Sequence, residues 1–175
     1  MKIIVDTREQ APFTFEDKDC EVVSGPLATG DYSLVGLEDK IAIERKSLAD
    51  LVGCLTGDNR ARFERELARG RGLDFFAVVI EAGFTELTAK QYRSSLNPHA
   101  AAQSILTFQI RYGVPFIWAG SRRAAEYTVY WLLSKFLREA EVRFKSIIKA
   151  HGEGEGRKNL SGDSTGDRRP TLPCS

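Results

Sequence analysis

Short apolar runs divide the chain into predicted strands. Lys2–Val5 and Asp74–Gly83 are apolar without alternation, which indicates strands buried on both faces, and Val114–Gly120 is a third run of this kind. The remaining predicted strands are Cys20–Val23, Asp31–Gly36 and Lys40–Lys46. Strands come first and alternate with helices later, so we expect an α/β fold with a mixed central sheet flanked by helices.

Helical signals occupy the stretches between the later strands. Asp58 is predicted to cap a helix that runs to about Arg69. Asn97, followed by proline, is predicted to cap a second helix that Gly113 ends. A long helix is expected from about residue 121 to residue 150, and four of its residues, Val129, Leu133, Phe136 and Ala140, are predicted to face the core.

Composition limits the domain count and the class of partner. The chain has 175 residues, which suits one domain, and we place it at residues 1–150. Residues 151–175 are polar and are predicted to form a disordered tail. A net charge of +1 means that any nucleic-acid surface must be local.

The cysteines and the apolar stretches of the sequence indicate the cellular compartment in which the protein is expected. The three cysteines are far apart and there are only two histidines, so a zinc site is not expected and a reducing compartment is favoured. No signal peptide and no 18-residue apolar stretch is found. We therefore expect a cytoplasmic protein with no membrane partner, associated with the nucleoid in a bacterium or archaeon.

Acidic residues converge in the predicted hairpin between residues 31 and 46. If Gly36–Asp39 forms the turn, opposed residues have numbers that sum to 75, and Asp31 lies across from Glu44. Lys46 projects from the same face as Glu44. Two such close carboxylates favour a bound divalent cation, and the lysine suits phosphodiester hydrolysis. A polar strand end with Asp31 in a turn is the alternative, because a one-residue slip separates the acids.

Two further acids follow the first strand. Asp6 stands at its carboxyl end and Glu9 comes three residues later. Sites in mixed α/β sheets form at the carboxyl ends of strands, so both acids are candidates for the same site. The alternative is that Asp6 only starts a turn.

These residues occur in a recognisable order. The segments "VDTREQ", "GDY" and "IERKSLAD" resemble the nuclease signature of the XPF-type structure-specific endonuclease family, V-D-x-R-E, G-D and E-R-K-x-x-x-D. The resemblance is clear from Lys2 to about Arg69 and extends loosely to about residue 150. It implies a restriction-endonuclease-like core, dependence on Mg²⁺ with Mn²⁺ as a substitute, and cutting of branched or flapped DNA in repair or recombination.

The resemblance also assigns roles to residues. It implies that the metal ligands are Glu9, Asp31 and Glu44, and that the catalytic set is Asp6, Glu9, Asp31, Glu44, Arg45 and Lys46. Arg45 points away from Glu44 on an ideal strand, so we expect it to form a structural ion pair, with Asp50 as a candidate partner. Arg8 is expected to contact phosphate or to hold the carboxylates, and Asp50 is otherwise an ordinary first-turn acid of a helix capped by Ser47.

The segment after the signature is rich in arginine. The candidates for contact with a DNA backbone are Arg60, Arg62, Arg65 and Arg69. The alternative is a solvated helix face that Glu64 and Glu66 partly neutralise. The family usually adds helix-hairpin-helix motifs or a helicase region, and neither is found in this sequence, so we expect the nuclease core either to bind DNA alone or to use a partner for DNA affinity.

The long helix is more apolar than one buried stripe requires. Four of its residues, Tyr127, Tyr130, Trp131 and Leu137, lie outside the inward stripe. The family pairs through late helices, so a homodimer through residues 121–150 is expected, with core packing alone as the alternative. Two rival functions stay open: a catalytically inactive DNA-binding or scaffold subunit, and a four-way junction resolvase or nickase on the same fold.

Overall fold

The computed structural model describes residues 1–152. Six strands form one sheet: β1 (Lys2–Asp6), β2 (Glu21–Gly25), β3 (Tyr32–Leu34), β4 (Ile41–Lys46), β5 (Phe75–Ile80) and β6 (Phe116–Trp118). The helices in the described residues are α1 (Leu48–Gly53), α2 (Gly57–Gly70), α3 (Phe84–Thr88), α4 (Pro98–Tyr112) and α5 (Arg122–Gly152). All six predicted strands are confirmed, with shorter bounds in most cases.

The sheet is mixed, with strand order β2-β1-β3-β4-β5-β6. β1 and β2 are parallel, β4, β5 and β6 are parallel, and β3 runs antiparallel to both of its neighbours. Every strand except β3 therefore points the same way. The carboxyl ends of five strands and the start of β3 meet at one edge of the sheet, which is where a site is expected.

The central strands of the sheet are buried on both faces. On β5, Val78 and Ile80 pack into a cluster with residues of α1, α2 and α4, whereas Ala77 and Val79 pack into a second cluster with residues of α5. This alternation explains why β5 is apolar at every position. The predicted α/β architecture, a mixed sheet with helices on both faces, is confirmed.

The helix ends follow local capping chemistry, with one correction. Asn97 accepts hydrogen bonds from the first turn of α4, and Gly113 ends that helix in the left-handed conformation with φ 66°, both as predicted. Ser47 caps α1. Asp58, however, lies in the first turn of α2, and Thr56 occupies the cap position. The five-residue α3 was not predicted, because so short a helix shows no periodicity.

The chain from Met1 to Leu137 forms one compact unit, and a second begins at Arg138. In α5, Ala125, Val129 and Leu133 are the buried residues. His151 and Gly152 are helical, and the rest of the predicted tail lies outside the described residues. None of the helices within residues 1–152 has the length and apolar character to cross a membrane.

Candidate active site

Charged residues gather at the sheet edge where the parallel strands end. Lys46 ends β4, Glu81 follows β5, and Asp31 directly precedes β3. A cleft of about 210 Å³ opens there, and its lining residues are Arg8, Glu9, Gln10, Asp31, Glu44, Arg45, Lys46 and Asp50. The structure therefore brings together the signature residues that the sequence analysis selected, apart from Asp6.

The register of the hairpin places Asp31 beside Glu44. Tyr32 is paired with Ile43, and these numbers sum to 75, so the predicted register is confirmed. The turn is longer than predicted, since β3 ends at Leu34 and β4 starts at Ile41. The Asp31 N–H donates to the Ile43 carbonyl at 2.8 Å, and the Arg45 N–H donates to Asp31 Oδ2 at 2.7 Å. The Asp31 carboxylate is thus fixed against β4.

Gly30 makes this approach possible. Its φ is +77°, a left-handed value that side chains rarely adopt, and a Cβ there would lie 2.9 Å from Ala42 Cβ and 3.2 Å from the Ile43 oxygen. Only glycine lets the chain pass so close to β4 at this point. The glycine of the G-D pair is therefore a requirement for placing the aspartate.

Asp31 and Glu44 form an electrostatically unfavourable pair of acids. Burial, followed by the negative charge of Glu44, raises the pKa of Asp31 to about 8. Glu44 is only 3% exposed, and burial raises its pKa as well, against the opposing effect of Lys46. Both groups retain their ordinary charge poorly without a cation. The two carboxylates supply oxygen ligands, and a nearby positive charge would stabilise their ionised forms. Both properties suit a divalent metal ion.

Lys46 lies on the same face of the sheet as Glu44. Its ammonium donates a hydrogen bond to Glu44 Oε1 and lies 5.5 Å from the ring centroid of Phe63 on α2. Burial lowers the pKa of Lys46, but the carboxylates of Glu44 and Glu66 raise it further, so it lies above the usual value. Lys46 therefore stays charged in a nearly closed environment.

Glu66 is a site residue that the sequence analysis missed. It lies on α2, lines the adjoining cleft together with Lys46, and contributes to the raised pKa of the Glu44 carboxyl group. From the sequence, Glu66 is expected only to neutralise part of the arginine-rich helix face. Its spacing of three from the inward-facing Phe63 was the available signal, because residues three apart share a helix face.

Arg45 points away from Glu44, as predicted, but its partners differ from the expected one. Its guanidinium donates to both oxygens of Glu9, at 3.0 and 2.9 Å, and to Glu81 at 3.2 Å. Asp50 instead accepts a hydrogen bond from Ser47 at 2.6 Å. The expected Arg45–Asp50 pair is therefore wrong, because the side chain of Arg45 reaches across to chain segments on either side of β4.

Glu9 is accordingly committed to protein partners. Besides Arg45, its Oε1 accepts the Ala11 N–H at 2.6 Å. Burial raises the pKa of Glu9, but the hydrogen bonds from Arg45 and Ala11 lower it further, so it lies below the usual value. Within residues 1–152 no three His, Cys, Asp or Glu side chains are arranged to hold a metal ion, so Glu9 does not join Asp31 and Glu44 in a preformed three-carboxylate site.

The Asp6 carboxylate is bound by protein groups, and its place in the catalytic set stays a prediction. It is buried, and its oxygens accept hydrogen bonds from the main chain and guanidinium of Arg8 and from the Leu27 N–H. The hydrogen bond from the Arg8 side chain is the largest cause that lowers the pKa of Asp6 to about 2. Asp6 therefore holds the chain after β1, and Arg8 fixes this carboxylate, while its expected contact with phosphate stays a prediction.

A second cleft of about 690 Å³ adjoins the first and continues over α2. It shares Arg8, Gln10, Lys46 and Asp50 with the first cleft, and Arg62 and Arg69 also line it. The exposed Arg65 lies on the same helix outside this lining. Two of the predicted DNA-contacting arginines thus border the acidic site.

Arg60 differs from the other predicted DNA-contacting arginines because its guanidinium is held by protein partners. Its guanidinium donates to the Leu55 carbonyl and to Ser104, forms an ion pair with Glu64 at 3.0 Å, and lies 4.7 Å from the Phe108 ring centroid. These contacts tie α2 to α4. The Arg60 guanidinium is therefore engaged in packing, and a contact between Arg60 and DNA would require it to leave these partners.

Comparison with known proteins identifies the family. The sequence from residue 5 to residue 132 matches the family defined by the ERCC4 domain. A solved structure of XPF from Aeropyrum pernix is similar, with a TM-score of 0.63, 20% identity, and coverage of 86% of this chain and 73% of that chain. XPF from Aeropyrum pernix in complex with DNA gives a TM-score of 0.61, 20% identity, and coverage of 79% and 66%. A search of curated proteins gives no match. The shared fold and the ERCC4 match together show that the chain belongs to the ERCC4 domain family, that of the XPF-type nucleases it resembles in sequence.

Proposed function

We propose that the protein is a Mg²⁺-dependent DNA endonuclease that cuts branched, forked or flapped DNA during repair or recombination, with Mn²⁺ able to substitute. Membership of the ERCC4 domain family supports a structure-specific DNA nuclease. The single observation that carries the proposal is the pair formed by the half-buried Asp31 and the buried Glu44, with the Lys46 ammonium on Glu44, beside an open cleft at the sheet edge.

The acid pair would hold the metal. Asp31 and Glu44 supply hard oxygen ligands, and both carboxyl groups have a pKa raised by burial, so a cation would relieve their mutual repulsion. A bound Mg²⁺ would polarise the scissile phosphate and lower the pKa of an attacking water. Glu9 as a third ligand stays a prediction: its Oε2 accepts one hydrogen bond, from Arg45, and would bind the metal through its remaining lone pair while Arg45 holds the carboxylate.

Lys46 has the charge and the position to assist the reaction. It stays protonated, so it can donate to a phosphate oxygen or to the attacking water, and offset charge that develops in the transition state. Its hydrogen bond to Glu44 orients the ammonium at the cleft. We therefore assign Lys46 to electrostatic stabilisation and not to proton abstraction.

The arginines of the second cleft would contact the DNA backbone. Arg62 and Arg69 border this cleft, and Arg8 projects into both clefts with its side chain 72% exposed. Guanidinium groups suit phosphate oxygens, and contacts of this kind position a duplex without reading its sequence. A solved relative in complex with DNA supports this assignment of the partner.

The decisive experiment measures cleavage of end-labelled fork, flap and plain duplex DNA, with Mg²⁺ omitted and then restored. We expect metal-dependent cutting of fork or flap by the wild type and a loss of about 10²–10⁴-fold in Asp31→Asn and Lys46→Ala. Asp39→Asn and Lys40→Ala are matched controls, because these residues form an exposed ion pair in the β3–β4 turn. Equal cutting by wild type and both site variants would refute the proposal.

The same panel separates the rivals. Cutting of four-way junctions alone would favour a resolvase, and single-strand scission of plain duplex would favour a nickase. No cutting of any substrate, together with no heat of Mn²⁺ binding in calorimetry, would favour an inactive DNA-binding or scaffold subunit.

We also infer that the protein forms a homodimer through α5. The exposed large apolar residues of this helix are Tyr127, Trp131, Val142, Phe144, Ile147 and Ile148. So many exposed apolar side chains on one helix indicate a protein partner. The family that this chain resembles pairs through late helices, which makes a second copy of this chain the expected partner. Sedimentation of wild type and Phe144→Glu tests this inference, since a dimer that persists in the variant would exclude this part of α5.

A further inference from the structure

Arg122, the first residue of α5, contacts two separate chain segments near the acidic cleft. Its Nη1 donates to Glu81 at 2.6 Å, and its Nη2 donates to the Ala11 and Pro12 carbonyls at 2.8 and 3.0 Å. The guanidinium also lies 4.8 Å from the ring centroid of Phe13. One side chain thus holds the segment after β1 to the end of β5.

These contacts close a ring. Glu9 is bound to Arg45, Arg45 to Glu81, and Glu81 to Arg122. Arg122 binds the Ala11 carbonyl, and the Ala11 N–H returns to Glu9. We call these five residues the Arg122 ring. Its four charged side chains carry two positive and two negative charges, so the ring is neutral as a whole.

Burial makes the ring sensitive to the loss of one member. The side chains of Glu9, Arg45 and Glu81 are 4%, 11% and 13% exposed, whereas that of Arg122 is 46% exposed. Removing Arg122 would leave Glu81 with only Arg45 as a partner. A buried carboxylate without its cation is costly, so Glu81 would compete with Glu9 for the Arg45 guanidinium.

We propose that Arg122 is a positioning residue of the acidic site: it satisfies Glu81 and staples residues 11 and 12, and so keeps Glu9 paired with Arg45 at the mouth of the cleft. Arg122 touches no substrate in this role. It acts through Glu81 and the main chain, and it determines where the Glu9 carboxylate lies relative to Asp31 and Glu44. The effect on catalysis rests on the proposed nuclease function, whereas the effect on local structure does not.

The first test is structural and independent of activity. Amide hydrogen exchange at Glu9, Ala11 and Phe13, whose N–H groups are hydrogen-bonded, should accelerate at least about tenfold in Arg122→Ala relative to wild type, because the segment loses its two carbonyl contacts. Arg123→Ala removes the same charge from the adjacent position and should leave this exchange unchanged. Equal exchange rates in Arg122→Ala and wild type would overturn the proposal, whatever the protein does to DNA.

The second test uses cleavage of the fork or flap substrate. Displacement of a site residue by about 1 Å can reduce a rate by about 10²-fold, so we expect Arg122→Ala to lower kcat by about 10–100-fold with little change in KM for DNA. Arg122→Lys should recover part of the activity, because an ammonium can still bind Glu81. A change in KM alone would indicate a DNA contact and contradict a positioning role.

A double variant distinguishes positioning from loss of folding. Adding Glu81→Gln to Arg122→Ala removes the competing carboxylate, so Arg45 should return to Glu9 and kcat should rise above that of Arg122→Ala. A purely structural defect would instead worsen with the second substitution. If the wild type itself cuts nothing, the proposed function has failed, and hydrogen exchange still decides the role of Arg122.

Discussion

Replacing Asp31 with asparagine should make the metal-free protein more stable while it abolishes cleavage. Asparagine keeps the shape of the side chain and an oxygen that can accept the Arg45 N–H. It removes a carboxyl group whose pKa is raised to about 8 by burial and by the charge of Glu44. The substitution therefore removes an unfavourable ionisation from the folded state.

The size of the effect follows from proton linkage. The pKa of Asp31 rises from its ordinary value of 3.8 to about 8 in the folded protein. One pKa unit corresponds to ~1.4 kcal/mol, which sets an upper limit of ~5 kcal/mol on the stabilisation at pH ~7.5. Water and side-chain movement at the cleft reduce buried charge effects, so we expect the measured free energy of unfolding to rise by ~1–3 kcal/mol.

The pH dependence has a definite sign. The folded wild type retains a proton on Asp31 that the unfolded chain releases above pH ~4, so wild-type stability falls as the pH rises towards about 8. The asparagine variant lacks this contribution. The stability difference between variant and wild type should therefore be small at pH ~4, increase up to about pH 8, and stay constant above it.

Urea unfolding in the presence of a chelator measures this difference. Asp39→Asn, in the exposed turn, should shift stability by less than ~0.5 kcal/mol. Adding Mn²⁺ at about 100 times its Kd should stabilise the wild type by ~2.7 kcal/mol and leave the Asp31→Asn variant unchanged. A metal-free variant that is no more stable than wild type at pH ~7.5, or a stability difference that does not vary with pH, would contradict the raised pKa of Asp31.

Three other predictions concern separate features of the molecule. Gly30→Ala should lower the free energy of unfolding by ~2–4 kcal/mol through backbone strain and contact with β4, whereas Gly36→Ala, with φ +83° and open space, should cost only ~1 kcal/mol. Arg62→Ala and Arg69→Ala should each reduce the slope of log binding constant against log salt for DNA by ~1, and unchanged slopes would remove α2 from the interface. Asn97→Ala should cost ~1 kcal/mol in thermal unfolding without affecting cleavage, because it removes only the cap of α4.

The strands and the hairpin register could be predicted because they depend on local sequence. A strand buried on both faces gives a continuous apolar run, as in β1 and β5. The register of β3 and β4 depends on which residues form the turn, and it survives a longer turn because the Tyr32–Ile43 pair is kept. The N-cap of α2 was predicted wrongly because aspartate is favourable both as the N-cap residue and inside the first turn, where Asp58 lies.

The acid pair and Lys46 could also be predicted from local sequence, because one hairpin carries all three residues. Glu66 lies on α2, Glu81 follows β5 and Arg122 begins α5, and only the packing of the whole sheet brings them to the site. Arg45 shows the limit most clearly. Its sequence neighbour Asp50 was the candidate partner, but its actual partners Glu9 and Glu81 lie 36 residues away on either side.

The E-R-K triplet is understandable once both faces of the sheet are considered. Alternation along β4 sends Glu44 and Lys46 towards α2, where Phe63 and Glu66 meet them, and sends Arg45 towards the Arg122 ring. A one-residue slip of β4 would turn the Arg45 guanidinium towards α2. Glu9 and Glu81 would then face the carboxylate of Glu44 or the ammonium of Lys46, and neither could replace the guanidinium. Buried charges without partners are costly, so only the native register satisfies both faces at once. The ring on the second face therefore helps to specify the strand position that brings Glu44 beside Asp31.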